Sequence, residues 1–246
     1  MKKRLLVLGL AFTMLAATAC GTSSDDGNKT SKADKTVTAT SNSDKTSETQ
    51  KNDDKKDDAK ESYKSADDIT MDDLKNHEET PADDFKYRDK SNGEAVIKEY
   101  TGDDPIVVIP NEIDGKKVVD FGKIFTNNKD IVAVRVGDNV ENIKEGAFGN
   151  CDNLKYIILG KNVKVFEHGN VGGKKFEQLE LNDGLEQLGE EGTSGAVIIL
   201  NKDKVEVKIP ESVNHMAFTG AKTLIVKAGS YAESFAKEHN MDYRVE

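Results

Sequence analysis

Side chains that could perform catalysis or bind a metal are few in this sequence and lie far apart. The 246 residues include two cysteines and four histidines. None of the histidines has a cysteine or a second histidine at the spacing of metal ligands; they are His77, His168, His215 and His239. Ser194, between Thr193 and Gly195, lacks the spacing of a nucleophile elbow. The sequence therefore predicts no enzyme, no metal site and no cofactor.

Cys151 and a glycine-rich stretch could suggest a nucleophile and a phosphate-binding loop, but a structural role fits each of them better. Cys151 occupies the small turn position of a sequence repeat described below, which favours a buried, unreactive thiol over a nucleophile. Residues 169–173 (GNVGG) carry nothing else that indicates a phosphate-binding loop. A degenerate repeat turn is the better interpretation, and binding rather than catalysis is the expected activity.

Composition excludes several classes of protein. The chain carries 45 acidic and 35 basic side chains, a formal net charge of −10, and only 36% hydrophobic residues. A polytopic membrane protein is far more apolar, and a disulfide scaffold needs more than two cysteines. Because nucleic-acid affinity comes from lysine and arginine on phosphates, we expect no nucleic-acid partner.

Residues 1–19 have the pattern of a bacterial secretion signal. Lys2, Lys3 and Arg4 precede the apolar run Leu5–Leu15, and small residues follow over 16–19. The run is too short to span a bilayer, which takes about 20 apolar residues.

Cys20, followed by a glycine, lies at the predicted cleavage point. This arrangement resembles the lipobox of bacterial lipoproteins, although Ala17 stands where leucine is favoured. The resemblance implies that the Cys20 thiol is acylated and that Cys20 becomes the mature N-terminus. The lipid on such a cysteine is a glyceride with two acyl chains, which suffice to anchor the protein stably in the membrane. An ordinary signal peptide with an incidental cysteine is the open alternative.

Residues 20–81 have the composition of a polar tether that lacks a core. Residues 21–80 contain only nine apolar residues and a formal charge of −6, too little apolar surface to offset the entropy of ordering. We therefore predict a disordered spacer with an r.m.s. span of about 40–45 Å, typical of a Gram-positive surface protein. Its one segment with helical turns and N-cap candidates is Tyr63–His77.

Residues 82–246 contain a repeat with a period of 22–23 residues. Apolar residues recur at matching positions in consecutive copies, and a glycine recurs as Gly137 and Gly160. The matched apolar pairs are 131/154, 134/157, 136/159, 140/163 and 143/166; further copies contain Val107, Leu179 and Val207 at the strand position. One copy cannot bury its own apolar face, so stacked copies must share a core. The expected fold is a β-rich α/β solenoid of about five degenerate units.

Several motifs resemble one family. IPNEIDGKKV at 109–118, NIKEGAFGNCDNL at 142–154 and IPESV at 209–213 are similar to the BspA-like leucine-rich repeats of bacterial surface proteins. The resemblance implies a leucine-rich-repeat domain and surface roles such as adhesion to host or matrix proteins or to other cells. It weakens at 167–170 and 189–195, where we expect degenerate or looped-out units.

The two ends of the repeat domain have capping patterns. Ser230 and Glu233 form a capping-box pattern for a helix that ends near Asn240, with an edge strand predicted over 243–245. At the other end, residues 85–87 and 95–97 flank Asn92-Gly93, which predicts a β-hairpin.

Alignment of the repeats predicts which strand residues point outward. These positions form the candidate binding face, and they are Val108, Arg135, Ile158, Glu180 and Lys208, with Tyr156 beside them. Charged residues around an apolar centre suit a protein partner; the open alternative for any one of these side chains is a solvated strand position.

The sequence as a whole predicts a lipid-anchored surface lipoprotein that displays a leucine-rich-repeat domain. Its expected partners are the membrane, through the lipid on Cys20, and a host, matrix or bacterial surface protein. The alternative is an accessory envelope lipoprotein that assembles with other envelope proteins. A solute-binding lipoprotein is disfavoured because no two-lobed α/β pattern is present.

Overall fold

The structure, a computed structural model, describes residues 65–190 and 195–246. The predicted signal peptide, Cys20, the tether up to residue 64 and Ser194 lie outside the described residues. No helix within the described ranges is both long and apolar enough to cross a membrane.

The described chain consists of short strands, two short helices and 3₁₀ turns. The 3₁₀ turns are Ala66–Asp68, Ala82–Asp84 and Lys123–Phe125. The helices are α1 (Met71–Asn76) and α2 (Tyr231–Glu238). The strands are β1 (Phe85–Asp89), β2 (Ala95–Tyr100), β3 (Ile106–Val108), β4 (Glu112–Ile113), β5 (Lys116–Phe121), β6 (Ala133–Arg135), β7 (Asn142–Ile143), β8 (Tyr156–Ile158), β9 (Val165–Phe166), β10 (Gly169–Val171), β11 (Gln178–Glu180), β12 (Gln187–Leu188), β13 (Val197–Ile199), β14 (Glu206–Lys208), β15 (His215–Met216), β16 (Phe218–Thr219), β17 (Thr223–Val226) and β18 (Tyr243–Val245).

These strands form a solenoid in which successive coils add strands to several mainly parallel sheets; the antiparallel pairs are β1–β2 and β4–β5. The front of the solenoid consists of the sheets β3-β6-β8-β11 and β14-β17-β18, and we call their outer surface the front face. The back is one long sheet, β1-β2-β5-β7-β9-β12-β15. Along the chain, each strand of a third sheet, β10-β13-β16, directly follows a strand of the back sheet. The predicted solenoid is confirmed.

The strand registers reproduce the sequence repeat residue by residue. Val134 pairs with Ile157, and Ile157 pairs with Leu179. On the back sheet, Ile143 pairs with Phe166, as the 23-residue spacing requires. The solenoid has about six turns rather than the predicted five. Strand β17 escaped the sequence analysis because Leu224 follows its partner Val207 by 17 residues instead of 22–23.

One continuous core runs along the interior of the solenoid. Each front strand directs its central residue inward, and Val107, Val134, Ile157, Leu179 and Val207 are all buried there. Aromatic rings reinforce the first coils, where Phe125 stacks on Phe148 with centroids 5.9 Å apart. The shared core explains why a single repeat would not fold alone.

The first departure from the family pattern, at 167–170, lies where the third sheet begins. Residues 169–171, where an Ala-Phe turn is missing, are strand β10 and pair with β13. Gly169 makes this change possible because a Cβ there would lie 2.9 Å from the Cα of Gly146 in the preceding coil. At 167–170 the degenerate unit is therefore a local change from turn to strand, whereas residues 191–194 of the second departure lie outside the described residues.

Both predicted caps of the repeat domain are present. Strands β1 and β2 form the antiparallel hairpin around Asn92-Gly93. At the other end, helix α2 begins after Ser230, whose hydroxyl accepts a hydrogen bond from the Glu233 amide at 3.2 Å. The Glu233 carboxylate accepts from the amide of Gly229 at 2.7 Å, one residue before the N-cap that a capping box would use. Strand β18 completes the end, as predicted.

The packed part of the chain begins before residue 82, where the sequence analysis ended the tether. Residues 65–81 are described and contact the solenoid, with helix α1 capped by Thr70 and Asp73 as a capping box. The apolar fraction of this segment is low, but two of its aliphatic side chains, Ile69 and Leu74, are fully buried.

Consecutive coils approach so closely at the repeated glycines that no side chain fits. A Cβ on Gly160 would lie 2.2 Å from the carbonyl oxygen of Gly137, a main-chain atom that cannot move aside as a flexible side chain could. We expect Gly160→Ala to lower the free energy of unfolding by about 3 kcal/mol, the upper end of overpacking penalties. Urea denaturation measures the change.

Gly184→Ala is the matched control, since a Cβ there would meet its nearest neighbour, the Asn182 amide nitrogen, at an ordinary contact distance of 3.4 Å. Its expected effect is below about 1 kcal/mol. Equal destabilisation by the two variants would contradict the close-approach explanation.

Candidate binding surface on the front face

The structure places the predicted binding residues in two rows on the front face. Val108, Arg135, Ile158 and Glu180 are in register across β3, β6, β8 and β11. Tyr156 belongs to the neighbouring outward row, two residues earlier on β8. Lys208 lies on β14, in the second front sheet. That this face binds a partner stays a prediction.

Residues 65–80, which we call the strap, cover the first half of the front face. Ile69 and Leu74 of the strap pack onto outward-facing residues of the solenoid, and all of these side chains are buried. The solenoid residues in this contact are Ile106, Val132, Ala133 and Tyr156. At about 1.5–3 kcal/mol for each buried aliphatic side chain, the two anchors account for most of the strap's attachment.

Polar contacts between the strap and the front face involve mainly main-chain groups of the strap. The Arg135 guanidinium donates to the carbonyl oxygen of His77 at 2.5 Å. The Lys155 ammonium donates to the carbonyl oxygen of Ile69 at 2.9 Å. Thr80 exchanges two bonds with β3, where its amide donates to the Val108 carbonyl and its hydroxyl accepts from the Val108 amide.

Ion pairs flank the strap on both sides. Asp67 lies 3.1 Å from Lys175, and Lys75 lies 2.9 Å from Glu180. These side chains are partly exposed, so each pair contributes little to stability. They do fix the direction of the strap, since its acidic start lies over lysines and its lysine lies over a glutamate.

Tyr156 is buried where the strap meets β8. Its hydroxyl donates to the Glu177 carboxylate at 2.7 Å, and the Lys155 ammonium lies 5.1 Å from its ring centroid. Burial, with a smaller effect from the bond to Glu177, raises the pKa of Tyr156 to about 12. Tyr156 therefore stays neutral and acts as a hydrogen-bond donor at physiological pH.

The second half of the front face is open and contains a cleft of about 490 Å³. The cleft lies between β11 and β14, which belong to separate hydrogen-bonded sheets. The spacing from Leu179 to Val207 is 28 residues, so an insertion separates the two strands. Charged and apolar side chains line it together, including Glu180, Leu181, Lys204, Glu206, Lys208 and Ile225.

Ion pairs hold the charged side chains at the far side of the cleft. Lys208 lies 2.5 Å from Glu246, and Arg244 lies 3.2 Å from Glu206. The lining side chains are largely solvent-accessible, so these charges are available to a partner. Glu180 and Lys208, on opposite sides, are the two predicted residues that this cleft brings together.

Lys155 and the strap have roles on this face that the sequence pattern did not predict. Lys155 is only 6% exposed, although lysine seldom occupies buried positions. No local signal distinguishes it from a solvated lysine, because its partners come from a segment more than 80 residues earlier in the chain. The helical turns noted over Tyr63–His77 were the available signal for the strap.

The remaining reactive side chains lie away from the front-face cleft. The Cys151 thiol is fully buried and donates to the Phe125 carbonyl at 2.9 Å; burial raises its pKa to about 11. His168 lies 3.8 Å from Glu145 and 3.6 Å from Glu190. Within residues 65–190 and 195–246, no three His, Cys, Asp or Glu side chains converge as a metal site requires.

Comparison with solved structures identifies the fold. A leucine-rich repeat protein from T. pallidum superposes with a TM-score of 0.51 at 24% sequence identity, over 60% of this chain and 71% of that one. The fold is a leucine-rich-repeat solenoid. No family model and no curated protein sequence matches the chain.

Two further leucine-rich repeat proteins resemble this solenoid more loosely. One from Bacteroides capillosus has 20% identity and a TM-score of 0.37, over 59% of this chain and 95% of that one. One from Bacteroides ovatus has 18% identity and a TM-score of 0.43, over 58% and 48%. With TM-scores below 0.5, these two superpositions support no conclusion.

The buried thiol of the leucine-rich-repeat solenoid should be chemically inert. At pH 8, the raised pKa reduces the thiolate fraction of Cys151 by about 100-fold relative to an ordinary cysteine, and burial blocks the reagent as well. In a chain lacking residues 1–20, we therefore expect a disulfide reagent to react at least about 100-fold more slowly with native than with guanidinium-unfolded protein. Comparable rates in the two states would show that Cys151 is accessible.

Proposed function

We propose that this chain is a lipid-anchored bacterial surface protein whose leucine-rich-repeat domain binds a protein partner through the open half of the front face. The cleft between β11 and β14 carries the proposal. Its lining mixes charged and apolar side chains, as protein interfaces do, and it lies beside an extended sheet that offers further contact area.

The N-terminal sequence supports the anchor. Its basic start, short apolar run and small residues before Cys20 together resemble a lipoprotein signal. Between Cys20 and the strap lie residues 21–64, whose polar composition suits a flexible spacer with an r.m.s. span of about 33–40 Å. Such a spacer would hold the solenoid away from the bilayer, at the Gram-positive cell surface.

The open half of the front face supports the binding role. The strap occupies the first half, so Glu206 and Lys208, with Arg244 on β18, form the accessible part. Among the predicted residues, Glu180 and Lys208 flank the cleft and are best placed to contact a partner. An adhesion partner on host or matrix and an assembly partner in the envelope would use the same surface, and the binding assay below separates them.

Replacing Cys20 tests the anchor. In Cys20→Ala the acylated thiol is absent, so we expect the protein to leave the membrane fraction and appear in the medium or as unprocessed precursor. Fractionation followed by immunoblotting measures the distribution, with Cys151→Ala as the matched control that stays with the membrane. Membrane retention of Cys20→Ala equal to that of the unaltered protein would contradict lipid anchoring.

Reversing a charge in the cleft tests the binding surface. The purified chain is applied to immobilised host matrix proteins and, separately, to solubilised envelope proteins. We expect one of these to contain a partner whose affinity for Lys208→Glu falls at least about tenfold, equivalent to about 1.4 kcal/mol.

Lys164→Glu is the matched control for Lys208→Glu. Lys164 is also an exposed lysine paired with a glutamate, 3.1 Å from Glu186, but it lies between β8 and β9, away from the front face. A partner that loses affinity equally for both variants, or no partner in either sample, would contradict the proposed surface.

A further inference from the structure

The strap is structurally separable from the solenoid that it covers. The apolar interior forms two distinct clusters, and the main core includes no side chain from residues 65–80. The strap's anchors, Ile69 and Leu74, belong entirely to the small second cluster on the front face. Lifting the strap would therefore leave the main core of the solenoid complete.

The strap also makes few main-chain bonds to the sheet beneath it. Among the described residues, the main-chain hydrogen bond from strap to solenoid runs from the Thr80 amide to the Val108 carbonyl, at the strap's last residue. Residues 65–79 are held by side-chain packing, by hydrogen bonds from Arg135, Lys155 and Asn111, and by surface ion pairs. The strap thus binds as a peptide ligand does, without becoming a strand of the sheet.

The surface under the strap has the composition of a recognition site. Outward-facing Ile106, Ala133 and Tyr156 form an apolar patch on three adjacent strands, and Ile158 lies at its margin. Water-soluble proteins seldom leave such a patch exposed unless it binds something.

Lys155 gives this patch its charge preference. It is 6% exposed, and its ammonium donates to the main-chain carbonyl oxygen of Ile69 at 2.9 Å and lies 3.4 Å from that of Asp67. Of the solenoid's own groups, the Glu177 carboxylate lies 3.8 Å from this ammonium, beyond hydrogen-bond distance, so the close acceptors are oxygen atoms that the occupant of the patch supplies. Lys175 adds a second positive charge, 3.1 Å from the Asp67 carboxylate.

The strap matches this surface in sequence. Its two aliphatic anchors are five residues apart, and residues 65–80 contain six carboxylates and one lysine. We propose that the front face of β3, β6 and β8 is a second binding site, specific for acidic peptides with two aliphatic anchors five residues apart, and that the strap is its built-in occupant. This site goes beyond the function proposed above and does not depend on the lipid anchor or on the open cleft.

Covalent attachment explains why the site is closed in this structure. The strap continues directly into the solenoid at Ala82, so its effective concentration at the site is high. An external acidic peptide competes only when it binds more tightly than the strap or when the strap is weakened.

Releasing the strap tests the proposal. The double variant Ile69→Ser, Leu74→Ser is prepared in the full-length chain in detergent, and a fluorescent synthetic peptide of residues 65–80 is the probe. Fluorescence anisotropy should show saturable binding to the double variant and at least tenfold weaker binding to the unaltered chain. The same peptide with both anchors replaced by serine should not bind.

Receptor-side variants locate the binding. In the released background, Lys155→Glu should weaken peptide binding at least tenfold, because the ammonium that faces the peptide carbonyls is lost. Lys164→Glu, the charge-matched control away from the front face, should leave binding unchanged. The peptide probe does not engage the partner sought for the open cleft, so either proposal can fail without the other.

Several outcomes would overturn the proposal. Amide hydrogen exchange checks whether β7 and β9 remain protected in the released variant; loss of that protection would show that the strap is an integral part of the fold. An intact solenoid that fails to bind the peptide would show that the front face is not a peptide site. Dimers of the unaltered chain formed by strap exchange would assign the site to a second copy of this protein instead of an acidic partner.

Discussion

Main-chain hydrogen bonding between successive coils, at a constant register, is the constraint on which the rest of this structure depends. Each coil is too short to bury its own apolar side chains, so it is stable only when its strands pair with those of the next coil. The pairing leaves no room for a side chain where Gly137 and Gly160 stack, because the carbonyl of one lies against the α-carbon of the other. The same register aligns the inward residues into one core and the outward residues into rows.

A stack of this kind has two ends and long outer sheet surfaces, and the chain covers both ends and half of the front face. The β1–β2 hairpin closes one end, and helix α2 with β18 closes the other. Uncovered strand edges and apolar sheet faces are sites of unwanted association. The strap covers the part of the front face where the outward residues are apolar, whereas the open half displays charged residues such as Glu206 and Lys208. The half of the front face that the strap covers is therefore the apolar half, and the half that stays open is the charged one.

Much of the fold followed from the sequence because its pattern is regular. The pairs 134/157 and 143/166, aligned by spacing alone, are strand partners in the structure, and the hairpin and terminal helix lie where turn and cap residues indicated. Two features broke the pattern. Strand β17 follows a shorter spacing, and residues 169–171 form a strand where the repeat has a turn, a change that depends on how closely Gly169 approaches the coil before it.

The sequence by itself determined the repeat and the row that contains Arg135, Ile158 and Glu180, because both follow from residue type and fixed spacing. Only the tertiary structure decided which part of that row is accessible. Ile69 and Leu74 lie in a stretch too polar to predict burial, and they are buried because the repeats place Ile106, Ala133 and Tyr156 side by side as a complementary surface. Such a contact joins residues up to about 90 positions apart, and no local pattern records it.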